Sequence, residues 1–181
     1  PIWVVDGTGN PAFFADVAIK GSRIAVVGRV EGQAGSEFDM RGLVVAPGFV
    51  DVHTHVDELA DQPLAENFIR MGVTTVVTGN CGESAPDVGR FFTDIERTGV
   101  TVNAAALVGH GTVRGRVMGG SFDREPTADE LARMRSEVGR AMRDGAIGLS
   151  TGLIYPPGSF ARTPEIVELA RVVAAHDGLY A

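Results

Sequence analysis

Three side chains in this chain of 181 residues have the type and spacing to hold a metal ion. His53 and His55 lie two apart in Asp51-Val52-His53-Thr54-His55. Residues two apart in an extended segment point to the same side, so the pair offers two imidazole nitrogens to one ion, a donor set that suits zinc. The alternative is two ordinary hydrogen-bonded histidines at a loop. The metal is favoured because two of the chain's four histidines share a three-residue window. Cys81, the only cysteine, stands in Gly79-Asn80-Cys81-Gly82. As a thiolate it is a soft, strong zinc ligand; as a buried thiol it is a small hydrophobe, the commoner fate of a lone cysteine. Its place after a strand, beside the histidine pair, favours the ligand.

Other polar residues fall close by. Asp57 and Glu83 trail the histidines and the cysteine, either orienting the metal ligands or standing as solvated loop carboxylates. His110 closes an apolar run in Leu107-Val108-Gly109-His110-Gly111 and has three readings: ligand, proton carrier or loop packing. Tyr155 stands in a loop stiffened by Pro156, Pro157 and Gly158, either aimed at a substrate or packed within a rigid connector. His176 ends a helix, where it interacts with the helix dipole away from any site.

These residues need a scaffold, and the pattern from Val44 onward supplies one. Val44 to Val52 has the composition of a strand buried on both faces. A helix follows over 63–71, with Leu64 and Phe68 four apart and Gly72 as its stop. Strands are predicted at 73–78, 102–108 and 146–150, and 178–181 opens a fifth. A helix over 86–98 places Val88, Phe91, Phe92 and Ile95 on one face. Thr127 and Glu130 form a capping box ahead of Leu131, Met134, Val138 and Met142. Thr163 is an N-cap with Pro164 at the first helical position, ahead of Ile166, Leu169 and Val173.

Strand–helix alternation makes a parallel sheet with right-handed crossovers, and groups at the carboxyl ends of its strands converge. Two closures fit, an open doubly wound sheet or a (β/α)8 barrel. A full barrel takes roughly 250 residues, more than this chain has, and no G-x-G-x-x-G follows the first strand. The expected fold is therefore α/β, a truncated (β/α)8 TIM-type barrel of about four βα units. Ahead of it, Val17 to Gly28 reads as a hairpin around Gly21-Ser22. With Trp3-Val4-Val5 and the stretch up to Val45 it forms a small sheet that is too slight for a core of its own. The expected domains are 1–45, the amino-terminal part of a small β-domain, and 46–181, the first half of a metal-dependent hydrolase barrel.

Composition narrows the partners. A net charge of −7 and a pI near 5.0 argue against a nucleic-acid surface. No apolar run reaches the ~18 residues of a membrane span, and no charged-then-apolar signal segment opens the chain. A single cysteine excludes an internal disulfide framework. Glycine, 24 of 181 residues, is nearly twice its usual ~7% and implies many tight turns. The expectation is a soluble, cytoplasmic protein whose partner is a small molecule. The chain opens without a Met inside one strand and closes at Leu179-Tyr180-Ala181 inside another, so it reads as a piece of a longer protein. The open edges of a half-barrel favour a homo-oligomer.

Val44-Val45-Ala46-Pro47-Gly48-Phe49-Val50-Asp51-Val52-His53-Thr54-His55, behind a sheet carrying Gly21-Ser22-Arg23-Ile24, resembles the amidohydrolase superfamily. Three further segments resemble its D-aminoacylase (N-acyl-D-amino-acid deacylase) branch. They are Gly79-Asn80-Cys81-Gly82, the stretch from Leu107 to Arg114, and the stretch from Gly145 to Pro157. The resemblance covers nearly the whole chain. It implies zinc-dependent hydrolysis of the amide joining an acyl group to a D-amino acid. His53 and His55 would hold one metal position, Cys81 the tightly bound zinc, and Tyr155 would lie near the substrate. It also implies that the general base, an aspartate, and further histidine ligands come after Ala181, so that this chain alone is inactive. A cyclic-amide hydrolase of the dihydroorotase or hydantoinase kind would need a bridging lysine. The only lysine is Lys20, in the small sheet, and Cys81 would then have no purpose. A third reading is a non-catalytic half-barrel that self-associates through its open edges.

Overall fold

Pro47-Gly48 divides the apolar run that the sequence suggests is one strand. In the computed structural model, which describes residues 1–181, Val44–Val45 (β4) joins the small sheet and Phe49–Asp51 (β5) begins the second sheet. Proline has no N–H to give a ladder, so the break falls there. The chain forms two compact units, Pro1–Gly48 and Phe49–Ala181.

The first unit is a four-stranded sheet in the order β3-β2-β1-β4. Its strands are Ile2–Val4 (β1), Phe13–Lys20 (β2), Arg23–Gly28 (β3) and β4. β2 and β3 form the expected antiparallel hairpin over Gly21-Ser22. Gly21 turns there at φ +62°, a conformation that costs a glycine little. Val4 and Ala15 are this unit's buried apolar residues.

The second unit carries a curled parallel sheet, half of a barrel wall, in the order β5-β6-β7-β8-β9. After β5 come Val73–Thr78 (β6), Asn103–Gly109 (β7), Gly148–Ser150 (β8) and Leu179–Tyr180 (β9). Five helices run between them: Glu66–Arg70 (α1), Val88–Thr98 (α2), His110–Met118 (α3), Ala128–Arg143 (α4) and Thr163–Ala174 (α5). Val76, Val108 and Leu149 from the strands bury with Phe91, Ile95, Met134, Val138, Leu169 and Val173 from the helices. The stripes read for α2, α4 and α5 thus face the core. No helix is long and apolar enough to cross a membrane.

Several expectations need correction. β5 is an edge strand, with Phe49 62% and Val50 56% exposed, not a strand covered on both faces. α1 is a single turn starting after Ala65, which has left-handed φ 41°, and Leu64 lies outside it and exposed. His110 does not end a strand; it opens α3, a helix whose Gly111 and Gly115 hide its apolar period. Thr163 is the first residue of α5 and Arg162 its N-cap.

The capping box of α4 forms as expected: Glu130 N donates to Thr127 Oγ1 (3.2 Å) and Thr127 N to Glu130 Oε2 (2.8 Å). Arg124 donates two hydrogen bonds to the same carboxylate, at 2.7 and 2.8 Å. That guanidinium, and after it the Thr127 amide, hold the Glu130 carboxyl down to about 2 from an ordinary 4.5. A carboxyl depressed by folding contributes stability that is complete above its unfolded value and is lost as pH falls through its folded value. Urea midpoints should therefore drop between pH 4.5 and 2, and in Glu130→Gln that drop should be shallower; identical pH profiles would refute the pairing.

Candidate metal centre and cleft

The chain leaves β5 at Asp51 and runs beside the end of β6, to which it is fastened at its centre. Thr54 is buried, and its amide and hydroxyl both donate to Val77 O, at 3.0 and 2.8 Å. Thr54 turns inward after a bend at Val52-His53, and His53 and His55 on either side of it stay exposed. Both rings are exposed, edge to face, with centroids 5.6 Å apart. Thr78, at the end of β6, accepts from Val56 N (3.0 Å) and donates to Asp57 Oδ1 (3.0 Å). The same oxygen accepts from Ala85 N (3.2 Å). Asp57 thus ties the histidine segment to the loop that follows Cys81.

Cys81 follows β6 in a tight turn, at φ 55°, a left-handed conformation rare for a residue with a side chain. Ser150, at the end of β8, holds that turn by accepting from Gly82 N (3.0 Å) and donating to Gly79 O. Neighbouring backbones pack directly on it: a Cβ on Gly152 would lie 1.9 Å from Cys81 O, and one on Gly109 2.5 Å from Gly82 O. The turn therefore admits only glycine at these two facing positions. Cys81 Sγ comes to 3.4 Å from His53 Nε2. One ligand atom from each of His53, His55 and Cys81 lies within 4.8 Å of the others. Two tetrahedral ligands at ordinary Zn–S and Zn–N lengths are about 3.6 Å apart, so the Cys81–His53 pair already has zinc spacing. A small rotation of exposed imidazoles closes the remainder.

Beside Cys81 lies a cleft of ≈ 330 Å³ whose walls include Asp57, Glu83, Thr112, Tyr155 and Pro157. Tyr155 is 53% exposed, its amide bonded to Gly152 O (3.0 Å). His110 is elsewhere. It is fully buried, with Nε2 2.8 Å from Glu165 Oε1, and Arg114, also fully buried, pairs with Glu165 Oε2. Burial pushes the Glu165 carboxyl up, but hydrogen bonds from His110 and Arg114 together outweigh it and leave the group below its ordinary value. Arg114 also donates to Phe122 O (3.0 Å) and Arg124 O (2.5 Å). His110 lies beneath the Tyr155 loop, where a Cβ on Gly158 would come within 3.5 Å of its Nδ1.

The spacing of the sequence points to the donors but not to Thr54, Thr78, Asn80 or Ser150, which fasten them. Asn80 and Ser150 do carry a signal, as hydrogen-bonding residues at strand ends within two positions of glycines. Glu165 carries none, being 55 positions from His110.

A sequence profile of the amidohydrolase family matches residues 36–175. The chain belongs to that family. This amidohydrolase chain is 43% identical to a D-aminoacylase of Alcaligenes xylosoxydans xylosoxydans, over 98% of its own length and 42% of the relative's. Among solved structures, a D-aminoacylase studied for its binuclear metal centre superimposes with a TM-score of 0.93 at 39% identity, covering 98% of this chain and 43% of that one. The N-acyl-D-glutamate deacylase of Bordetella bronchiseptica, solved with zinc and a phosphonate inhibitor, superimposes with a TM-score of 0.90 at 35% identity, covering 99% and 43%. The curled sheet is accordingly the truncated TIM-type barrel of these enzymes. The chain spans about two fifths of the length of the curated relative.

Proposed function

We propose that the chain is the metal-holding part of a zinc hydrolase that cleaves the amide of N-acyl-D-amino acids. The observation that carries this reading is the approach of one thiol and two imidazoles to within 4.8 Å, from the ends of adjacent strands. Three protein donors and an open fourth position are the pattern of a catalytic zinc site. Likeness to deacylases, one of them solved with zinc, supports the choice of metal. On this reading residues 1–45 are the amino-terminal part of a small β-domain and 46–181 the first half of the hydrolase barrel; the separation of compact units at Gly48 supports that division.

When bound, zinc supplies the Lewis acidity that activates water and polarises a carbonyl. The chain's own residues do the rest. The Cys81 turn, locked by Ser150 and by glycine contacts, presents the thiolate. Thr54 turns both imidazoles toward it. Tyr155, on the cleft wall, offers a phenol to a substrate lying beside the donors, while Asp57 and Glu83 add carboxylates to the same wall. The general base is expected from the longer protein.

The test uses that full-length protein, loaded with zinc and offered N-acetyl-D-amino acids, their L enantiomers, and dihydroorotate or hydantoin. Release of free D-amino acid alone is the expected result. Turnover of the cyclic amides, or of none, would overturn the reading.

A further inference from the structure

We infer that Asn80 is a positioning residue that clasps the two ligand-bearing segments together and sets the distance between the Cys81 thiol and the imidazoles of His53 and His55. The inference rests on the metal centre proposed above. Asn80 is 4% exposed and immediately precedes Cys81. Its side-chain nitrogen donates to two carbonyls, Val77 O at 2.9 Å and Thr54 O at 3.3 Å. Only the NH2 end of the amide can face two carbonyl oxygens, so the orientation of the group is fixed by its partners. Thr54 is the residue between the two histidines, so one end of this clasp grips the centre of the His-Thr-His segment and the other end is the neighbour of the thiol. Val77 O in turn accepts from both the amide and the hydroxyl of Thr54. A single carbonyl at the end of β6 thus anchors the histidine segment and the cysteine turn at once.

The clasp has a mechanical purpose. The two exposed imidazoles follow the edge strand β5. The thiol, by contrast, sits on a turn locked between β7 and β8. Thr54 and Asp57 tie the histidine segment to β6 and to the loop after Cys81, but Asn80 alone joins it to the residue next to the thiol. Without that bond, ion binding would have to order the remaining slack, lowering affinity by its cost. Groups that orient metal ligands are typically worth 10–100-fold in affinity.

The experiment measures zinc dissociation constants by chelator competition for this chain and for Asn80→Ala and Asn80→Ser, with thermal midpoints of the metal-free proteins alongside. Both variants should bind zinc about 10–100-fold more weakly while circular dichroism reports the same fold; should Asn80→Ala not fold, the smaller change to Ser carries the test. Repeated in a Cys81→Ala background, the Asn80 substitution should cost almost nothing, because there is no thiol left to hold in register. A folded variant with wild-type zinc affinity would overturn the inference alone, as would an equal loss in the Cys81→Ala background, which marks general loosening. A wild-type chain that binds no zinc would instead overturn the metal centre, and the inference with it.

Discussion

Replacing Cys81 by Ala is expected to weaken zinc binding by on the order of 10²–10³-fold, more than replacing His53 does. A structural zinc site yields roughly 10–16 kcal/mol from four ligands, so a ligand is worth about 3 kcal/mol, or two orders of magnitude. Cysteine exceeds that mean here for two reasons. Its thiolate is the softest donor of the three and the only one that brings negative charge. Its backbone is also held from three directions, by Ser150 and by the close approach of Gly109 and Gly152. The imidazoles add no charge as ligands and are exposed. Metal content after exhaustive dialysis, compared across wild type, Cys81→Ala and His53→Ala, decides the matter. Equal retention in all three would reject the assignment of these donors.

Truncating Glu165 to Ala should destabilise the chain by about 3–5 kcal/mol, the usual cost of leaving a buried charge without its partner. Glu165 is 3% exposed and is the shared acceptor of His110 and Arg114, both fully buried. Two backbone carbonyls remain to Arg114 after the truncation, but no anion does. Glu165→Gln, which keeps an acceptor, should cost less than Ala. Urea unfolding followed by circular dichroism provides the number, and a loss below about 1 kcal/mol would mean that the ion pair contributes no more than a surface one. Since the triad lies outside the three-donor cluster, zinc affinity of the folded fraction should be unchanged. That separates this prediction from the loss expected at Cys81.

Much of the scaffold is legible in the sequence because its signals are local. The hairpin at Gly21-Ser22, the Thr127–Glu130 box and the stripes of α2, α4 and α5 each depend on residues a few positions apart, and each forms. The errors arise where a longer-range fact decides. Whether β5 is covered depends on what pairs with its outer side, not on the composition of Phe49 to Val52. α3 escapes notice because Gly111 and Gly115 stand where its apolar period would show, and Gly111 lets the Cys81 loop come close, since a Cβ there would lie 2.9 Å from Gly82 O. Among the donors, His53, His55 and Cys81 announce themselves by residue type. The groups that aim them are a threonine, an asparagine and a serine, common residues whose partners are carbonyls and amides as many as 71 positions away. His110 looks like a site residue by type, and only its partner Glu165, on another helix, gives it a different setting.

All three donors come from a single β–α–β unit, β5 to β6, with 28 positions separating His53 from Cys81. The entropy of joining two points on a chain grows only with the logarithm of the intervening length, and this is a short interval. An ion captured there would demand one such closure, and a local one. Synthesis of the chain would therefore deliver these three donors while later strands were still being made.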